Sequence, residues 1–125
     1  MPRSWASFPP HSLPVIALRL GDVIVRALVD TGASQSLIDP RLVRQIGLHE
    51  NGKGSIVGVG TRSIEVALVS IDSAAIGRCA LESFKAGVLD LTNLRIGVQL
   101  ILGINAFHGY RLQFDFASGR LYLLS

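Results

Sequence analysis

The chain has 125 residues, of which 49% are hydrophobic and 17% charged, and its formal net charge is +3. This length suits one domain with a substantial core, and the apolar composition argues against extensive disorder. The positive charge comes from arginines scattered singly along the chain, without a basic cluster among aromatic residues, which argues against nucleic-acid binding.

The first element in chain order is an N-terminal arm, residues 1–14. Pro9, Pro10 and Pro14 interrupt it and it lacks the apolar core of a signal peptide, so we expect a flexible or extended arm ahead of one domain over residues 15–125. No apolar run along the chain reaches the roughly 18 residues that a membrane helix needs, so we expect no membrane contact from this segment. The chain could also be a soluble domain cut from a longer, anchored protein.

The first part of the domain predicts two strands and a helix. Leu13–Leu20 and Val23–Val29 read as strands, joined by a tight turn at Gly21-Asp22. A helix is predicted after Asp39, which is a typical N-cap and is followed by a proline at the first helical position. Gly47 is predicted to end this helix.

The second part of the domain predicts further strands and a short helical turn. Ser55–Val69 reads as a hairpin that divides at its central glycines, and Cys79–Val88 as another strand pair. Asn105–His108 reads as a helical turn. Leu112–Phe116 alternates apolar and polar residues, and a turn leads from it into Leu121–Leu124. The pattern predicts a small all-β barrel with one or two short helices.

A single cysteine, Cys79, excludes an internal disulfide and a thiolate metal cluster. This cysteine usage favours a reducing compartment, so we expect a cytoplasmic protein in which Cys79 is a buried free thiol. The histidines His11, His49 and His108 lack the spacing of metal ligands, so we expect no metal site.

The most informative segment is Ala27–Ser34, an apolar strand that runs directly into Asp30-Thr31-Gly32. Three apolar residues before Asp30 would bury its carboxylate, and a buried carboxylate needs partners. The small residues after it would let two copies of the loop approach and hold their aspartates face to face. Two carboxylates about 3 Å apart share a proton, so one can act as base while the other acts as acid. Because the chain has one such motif, the second carboxylate must come from another copy.

This segment resembles the active-site segment of the retropepsin-like aspartic proteases, the single-domain, homodimeric relatives of retroviral proteases. Gly58-Val59-Gly60 resembles the tip of their flap hairpin, and Leu100–Asn105 resembles the segment before their short C-terminal helix. The resemblance runs from about Leu13 to Leu124. It implies a closed, retropepsin-like all-β barrel with a flap hairpin.

The resemblance implies that Asp30 is catalytic and that Thr31, Gly32, Ala33 and Ser34 support the active-site loop. The Thr31 hydroxyl would bond the partner's matching loop, and the backbone N–H of Gly32 would point at the carboxylate. Ser34 stands where many retroviral enzymes carry a second aspartate. This departure affects a charged contact to the substrate backbone and not the chemistry.

The resemblance also implies that Gly58, Val59 and Gly60 form a flap that folds over bound substrate, with the Val59 N–H holding a bridging water. Taken alone, this segment would be a plain hairpin turn. Gly103 would pack beside the catalytic loop, where a larger side chain would displace Asp30.

The implied activity is that of an aspartic endopeptidase, in which an Asp dyad formed across a homodimer activates water to hydrolyse a peptide bond. No metal or organic cofactor is expected, and the expected partners are a polypeptide substrate and a second copy of the chain. The alternative is a non-catalytic retropepsin-fold module for dimerisation or peptide binding.

The arm and the C-terminal Leu121–Ser125 are expected to join the loop in the dimer interface. Ser7-Phe8-Pro9 resembles the aromatic-proline junctions that retroviral proteases cut when they release themselves. An extended, proline-rich linker is the alternative for that segment.

Overall fold

A computed structural model describes residues 2–57 and 62–124 of the chain. These residues form twelve strands, one α-helix and two short 3-10 helices. The helix α1 covers Pro40–Ile46, and the 3-10 helices cover Thr92–Leu94 and Ile104–Phe107. The fold is all-β, as the sequence predicts. In chain order the strands are β1 (Pro2–Ser7), β2 (Val15–Leu20), β3 (Val23–Val29), β4 (Ser36–Ile38), β5 (Glu50–Val57), β6 (Ser63–Ile71), β7 (Ala74–Ile76), β8 (Cys79–Ala80), β9 (Phe84–Val88), β10 (Leu100–Leu102), β11 (Arg111–Asp115) and β12 (Arg120–Leu124).

Two sheets make up the fold. Nine strands form one sheet in the order β5-β6-β9-β4-β10-β3-β2-β7-β8, and β1, β12 and β11 form a smaller antiparallel sheet. The expectation of a closed barrel is wrong, because β5 and β8 are unpaired edges of the large sheet within the described residues. Closure would require hydrogen bonds between the edge strands β5 and β8, and β8 has only two residues with which to form them.

The predicted hairpin over Ser55–Val69 is confirmed in its two strands, β5 and β6, which pair antiparallel with Ser55 opposite Glu65. The flap tip expected between them, Gly58-Val59-Gly60, lies outside the described residues.

The main hydrophobic core takes side chains from both sheets. In β3 the side chains of Val25, Ala27 and Val29 are buried, which is the two-residue period of a strand with one face on the core. From β12, Leu121 and Leu123 are each 0% exposed. The core of their own chain therefore already covers these two side chains, and the contribution of the C-terminal strand to a dimer interface stays a prediction.

Residues 2–7 of the expected flexible arm form β1, which pairs with β12. The Ser4 hydroxyl donates a hydrogen bond of 2.9 Å to the carbonyl of Ile76, which ties β1 to the large sheet. Beyond β1, the backbone N–H of Phe8 donates to the carbonyl of Gly119 at 2.9 Å. Of the two expected forms of the arm, these residues therefore take the extended one, because the first and last strands of the chain pair with each other.

The same contacts cover the aromatic-proline junction Ser7-Phe8-Pro9. A protease binds its substrate as an exposed, extended segment, whereas Phe8 is buried and its N–H is bonded. Cleavage there would require β1 and the following turn to detach first.

Helix α1 begins and ends as the sequence predicts. The side chain of Asp39 accepts a hydrogen bond from the backbone N–H of Arg41, and Pro40 is the first helical residue. Gly47 ends the helix in the left-handed region, at φ 72°.

Two other predicted elements differ in detail. The helical turn predicted at Asn105–His108 is the 3-10 helix Ile104–Phe107. Cys79–Val88 contains two strands, but the prediction that they pair with each other is wrong. The connection after β8 carries the chain from the edge of the large sheet to a position between β6 and β4, where β9 pairs.

Cys79 is buried and free, as expected. No helix in the described parts of the chain is long and apolar enough to cross a membrane.

The contact between Phe8 and Gly119 yields a prediction about stability. A Cβ atom at Gly119 would lie 2.1 Å from the carbonyl oxygen of Phe8, at a φ of +73°. Gly47 has nearly the same φ, +72°, with nothing within 4 Å. We expect Gly47→Ala to cost about 1 kcal/mol of unfolding free energy from backbone strain alone. Gly119→Ala should cost about 2–4 kcal/mol because the clash adds to that strain.

Chemical denaturation of both variants measures the two costs. Equal losses would contradict the packing of the arm against the turn between β11 and β12.

Candidate active site

Asp30 directly follows β3, where the ladder with β10 ends. Its backbone N–H donates to the carbonyl of Leu102 at 2.9 Å, and its carboxylate accepts from the N–H of Gly32 at 3.0 Å. The Gly32 N–H therefore points at the carboxylate, in the way that the resemblance implies. Asp30 is half-buried rather than buried, because the apolar strand ends at Val29 and the following loop opens to solvent.

The loop after Asp30 presents small residues at the surface. Thr31, Gly32 and Ser34 are exposed, and Ala33 is half-buried. The roles that the resemblance gives to Thr31 and Ser34 concern a partner copy and a substrate, so they stay proposals.

Gly103 lies directly beneath this loop. A Cβ atom there would lie 2.7 Å from the carbonyl oxygen of Ala33 and 2.8 Å from that of Gln35. The next residue, Ile104, donates its backbone N–H to the carbonyl of Ala33 at 2.8 Å. The expected packing of Gly103 beside the loop is confirmed, and the absence of a side chain is what permits this approach.

A buried polar pair under the loop was not predicted from the sequence. The Ser36 hydroxyl, which is buried, donates to Oδ1 of Asn105 at 2.7 Å and accepts from the N–H of Gly103 at 3.0 Å. The Asn105 side-chain amide donates to the carbonyl of Lys85 at 2.8 Å. These bonds tie β4, β9 and the 3-10 helix to one another. The sequence feature that could have indicated this pair is Ser36 itself, a serine among the apolar residues of a short strand.

An apolar row crosses the sheet on the same face as the Asp30 side chain. Ile101 of β10 is opposite Leu28 of β3 and opposite Leu37 of β4. These three side chains belong to a small cluster separate from the main core, and Leu28 lies two residues before Asp30, so alternation places both on one face. The arrangement gives the carboxylate an apolar neighbourhood that is only partly covered. The other members of the cluster are Leu91, Val98, Val15 and Ile96.

Asp39 holds the segment that covers this cluster, residues 89–99. One carboxylate oxygen accepts from the N–H of Arg41 at 2.9 Å, and the other accepts from the N–H of Leu91 at 3.1 Å. The Arg41 guanidinium bridges Asp39 at 2.7 Å and Asp90 at 3.0 Å.

Both carboxylates in this network have perturbed acidity. Burial raises the pKa of Asp39, but the hydrogen bonds and charge of Arg41, together with the Leu91 N–H, bring the pKa below its usual value. The hydroxyl and N–H of Thr92, followed by Arg41, lower the pKa of Asp90 from 3.8 to about 2. Both groups are therefore held in the ionised form.

The fold resembles those of solved structures. The fold is similar to that of a retropepsin-like aspartic protease from Rickettsia conorii, with a TM-score of 0.62 and 17% identity over 95% of this chain and 87% of that one. It is also similar to the retroviral protease-like domain of Ddi1 from Leishmania major, with a TM-score of 0.57 and 16% identity over 91% of this chain and 95% of that one. The fold is therefore retropepsin-like.

The family follows from the sequence. The family model of the aspartyl proteases matches residues 16–106, which is more than half of the chain. The chain belongs to the aspartyl protease family. No curated protein is similar enough in sequence to match it.

The Asp90 network predicts how stability depends on pH. Because the pKa of Asp90 is lower in the folded chain (about 2) than its ordinary value (3.8), its charge stabilises the fold above that ordinary value. This contribution is lost as the pH falls through the folded pKa. Asp90→Asn keeps an acceptor for Thr92 but removes the charge facing Arg41. We expect the variant to melt below wild type at about pH 5 and the gap to close towards about pH 2.

Melting curves of both proteins across this range test the effect. A gap that stays constant with pH would contradict the assignment.

Proposed function

We propose that this protein is an aspartic endopeptidase whose active site forms between two copies of the chain. The observation that carries the proposal is the carboxylate of Asp30, a half-buried residue at the open end of a buried strand, which accepts a hydrogen bond from the Gly32 N–H. An isolated surface aspartate would need none of the close packing that Gly103 provides beneath it. The membership of the chain in the aspartyl protease family supports the same function.

The proposed mechanism is general acid–base hydrolysis without a covalent intermediate. Two Asp30 side chains, one from each copy, would face each other and share a proton. The ionised carboxylate takes a proton from a water molecule, and the oxygen of that water attacks the scissile carbonyl carbon. At the same time the protonated carboxyl group donates its proton to the carbonyl oxygen. The C–N bond then breaks as the amide nitrogen receives a proton, which releases an amine and a carboxylic acid. These steps use only the two carboxylates and water.

The need for two copies follows from the single Asp-Thr-Gly of the chain. Its loop exposes Thr31 and Gly32, small residues that leave room for a second loop. A contact that brings the loop against its own copy is isologous, so each residue near the loop on one copy has a symmetric counterpart on the other.

Two exposed apolar side chains flank the loop and support a second copy as its neighbour. Leu13 is 53% exposed. It lies near the start of the loop, because the carbonyl of the next residue, Pro14, accepts the N–H of Val29 at 3.0 Å, and Val29 directly precedes Asp30. Ile104 is 54% exposed and is bonded through its N–H to the other end of the loop. A dimer built around the two loops would cover both side chains.

The peptide substrate would lie across the apolar row of Leu28, Ile101 and Leu37 beside Asp30. We further propose that Gly58, Val59 and Gly60, which connect β5 to β6, close over the substrate as a flap. Thr31 would bond the partner's loop, and Ser34 would face the substrate.

Replacement of Asp30 tests the catalytic assignment. Asp30→Asn keeps the volume but alters both halves of a homodimeric site, so no ionisable partner remains to activate water. We expect peptidase activity to fall by at least about a hundredfold, with folding unchanged. Wild-type activity should fall on both sides of an acidic optimum, because one carboxylate must be ionised and the other protonated. A peptide-library assay at several pH values measures both effects.

Asp22→Asn is the matched control, because Asp22 is an exposed residue in the turn between β2 and β3. Equal activity of Asp30→Asn and wild type would contradict the assignment. If neither protein cleaves peptides and both bind them equally, a non-catalytic peptide-binding module is the function.

The dimer surface is tested with a pair of identical substitutions. Ile104→Glu places a charge beside the loop, where a partner copy would bury it. Ile24→Glu places the same charge near the end of β3 that is far from the loop, where Ile24 is 64% exposed. We expect only Ile104→Glu to weaken dimerisation, by about tenfold or more in dissociation constant. Sedimentation equilibrium and specific activity against dilution measure the effect. Equal behaviour of the two variants would contradict the proposed surface.

A further inference from the structure

We propose that Asp39 is a positioning residue for substrate selectivity: by holding residues 89–99 over the apolar row, it sets the size of apolar side chain accepted beside Asp30. This inference rests on the proposed peptidase function.

The segment 89–99 connects β9 to β10 and covers one side of the apolar cluster. It contributes Leu91 and Val98, which are 3% and 7% exposed, and the half-buried Ile96. These side chains pack with Ile101, the central member of the row beside Asp30. A change in the position of this segment therefore changes the space over the row.

Asp39 binds this segment at both ends. Near the start, its carboxylate accepts the N–H of Leu91 at 3.1 Å. At the end, its backbone N–H donates to the carbonyl of Gln99 at 2.9 Å. The preceding residue, Ile38, accepts the N–H of Leu89 at 3.0 Å. The start of helix α1 thus fixes where the segment leaves the sheet and where it returns.

The bond to the segment requires a carboxylate, whereas the helix cap does not. Oδ1 accepts from the N–H of Arg41, which is the cap, and Oδ2 accepts both the N–H of Leu91 and the Arg41 guanidinium. Asparagine caps a helix as well as aspartate does. Its side-chain NH2 group cannot accept a hydrogen bond, so in Asp39→Asn the cap can remain while the bond to Leu91 is lost.

The buried charge is consistent with this role. Asp39 is only 5% exposed, and its charge is matched by Arg41, which also reaches Asp90 at the start of the segment. An unpaired buried carboxylate would be strongly unfavourable, so the ion pair is what allows Asp39 to present an acceptor to Leu91.

The experiment compares Asp39→Asn with Asp115→Asn. The Asp115 carboxylate accepts the N–H groups of Ala117 and Ser118 through one oxygen, so this control makes the same change in charge and keeps its turn. Two peptides are used that differ only in a Leu or an Ala before the scissile bond. For each protein, kcat/KM is measured with both peptides, and amide hydrogen exchange is measured along the chain.

Asp39→Asn should lower the Leu/Ala ratio of kcat/KM by about tenfold, since one or a few methylene groups in an apolar site are worth this much discrimination. The amide of Leu91 should exchange at least about tenfold faster relative to those of β2. Asp115→Asn should leave both quantities unchanged. A merely structural role for Asp39 would reduce both peptides' kcat/KM by the same factor and leave the ratio unaltered.

A Leu/Ala ratio within about twofold of wild type in Asp39→Asn would overturn the proposal. Arg41→Gln is the second variant if Asp39→Asn does not fold: it removes the ion pair, leaves the Leu91 bond possible, and should shift the ratio in the same direction by less. An unchanged ratio in Arg41→Gln would then overturn the proposal. If wild type cleaves neither these two peptides nor any member of the peptide library, the proposed peptidase function fails and the selectivity role fails with it. An unchanged Leu91 exchange rate in Asp39→Asn would show separately that Asp39 does not hold the segment.

Discussion

The geometry of the site depends on how closely Gly103 approaches the loop after Asp30. With any Cβ atom there, the carbonyl of Ala33 would be 2.7 Å away, so only glycine fits without a shift of the backbone. This approach lets β10 lie between β3 and β4, and it lets the N–H of Asp30 reach the carbonyl of Leu102. The carboxylate therefore starts from a backbone held by the sheet, although the loop around it is exposed.

Two polar anchors hold the surroundings of that loop from opposite sides. Beneath it, Asn105 joins Ser36 to the carbonyl of Lys85. Beyond the apolar row, Asp39 joins the start of α1 to the segment at Leu91. Each anchor satisfies buried polar groups, so each fixes a relative position of strands that apolar packing alone would leave adjustable. In the proposed dimer, a loop anchored in this way would need little rearrangement when the second copy binds.

The features that the sequence predicted are those decided by adjacent residues. The cap and stop of α1 at Asp39 and Gly47 follow from local backbone chemistry, and so does the loop after Asp30. The pairing of β1 with β12 joins the two ends of the chain, and no local pattern specifies it. The bonds of Asn105 also join distant residues, and the open edges of the large sheet depend on the length of β8. Half-burial of Asp30 depends on the opening of the loop, which composition does not reveal.

The central claim is that each chain supplies half of a catalytic dyad. It is tested most directly by mixing wild-type chains with Asp30→Asn chains at constant total concentration and measuring peptidase activity after exchange of subunits. If catalysis needs two Asp30 carboxylates, one from each copy, an equal mixture should retain about a quarter of the wild-type activity, because only wild-type pairs are active. Retention of about half, in proportion to the wild-type chains present, would mean that a single chain is sufficient and would contradict the claim.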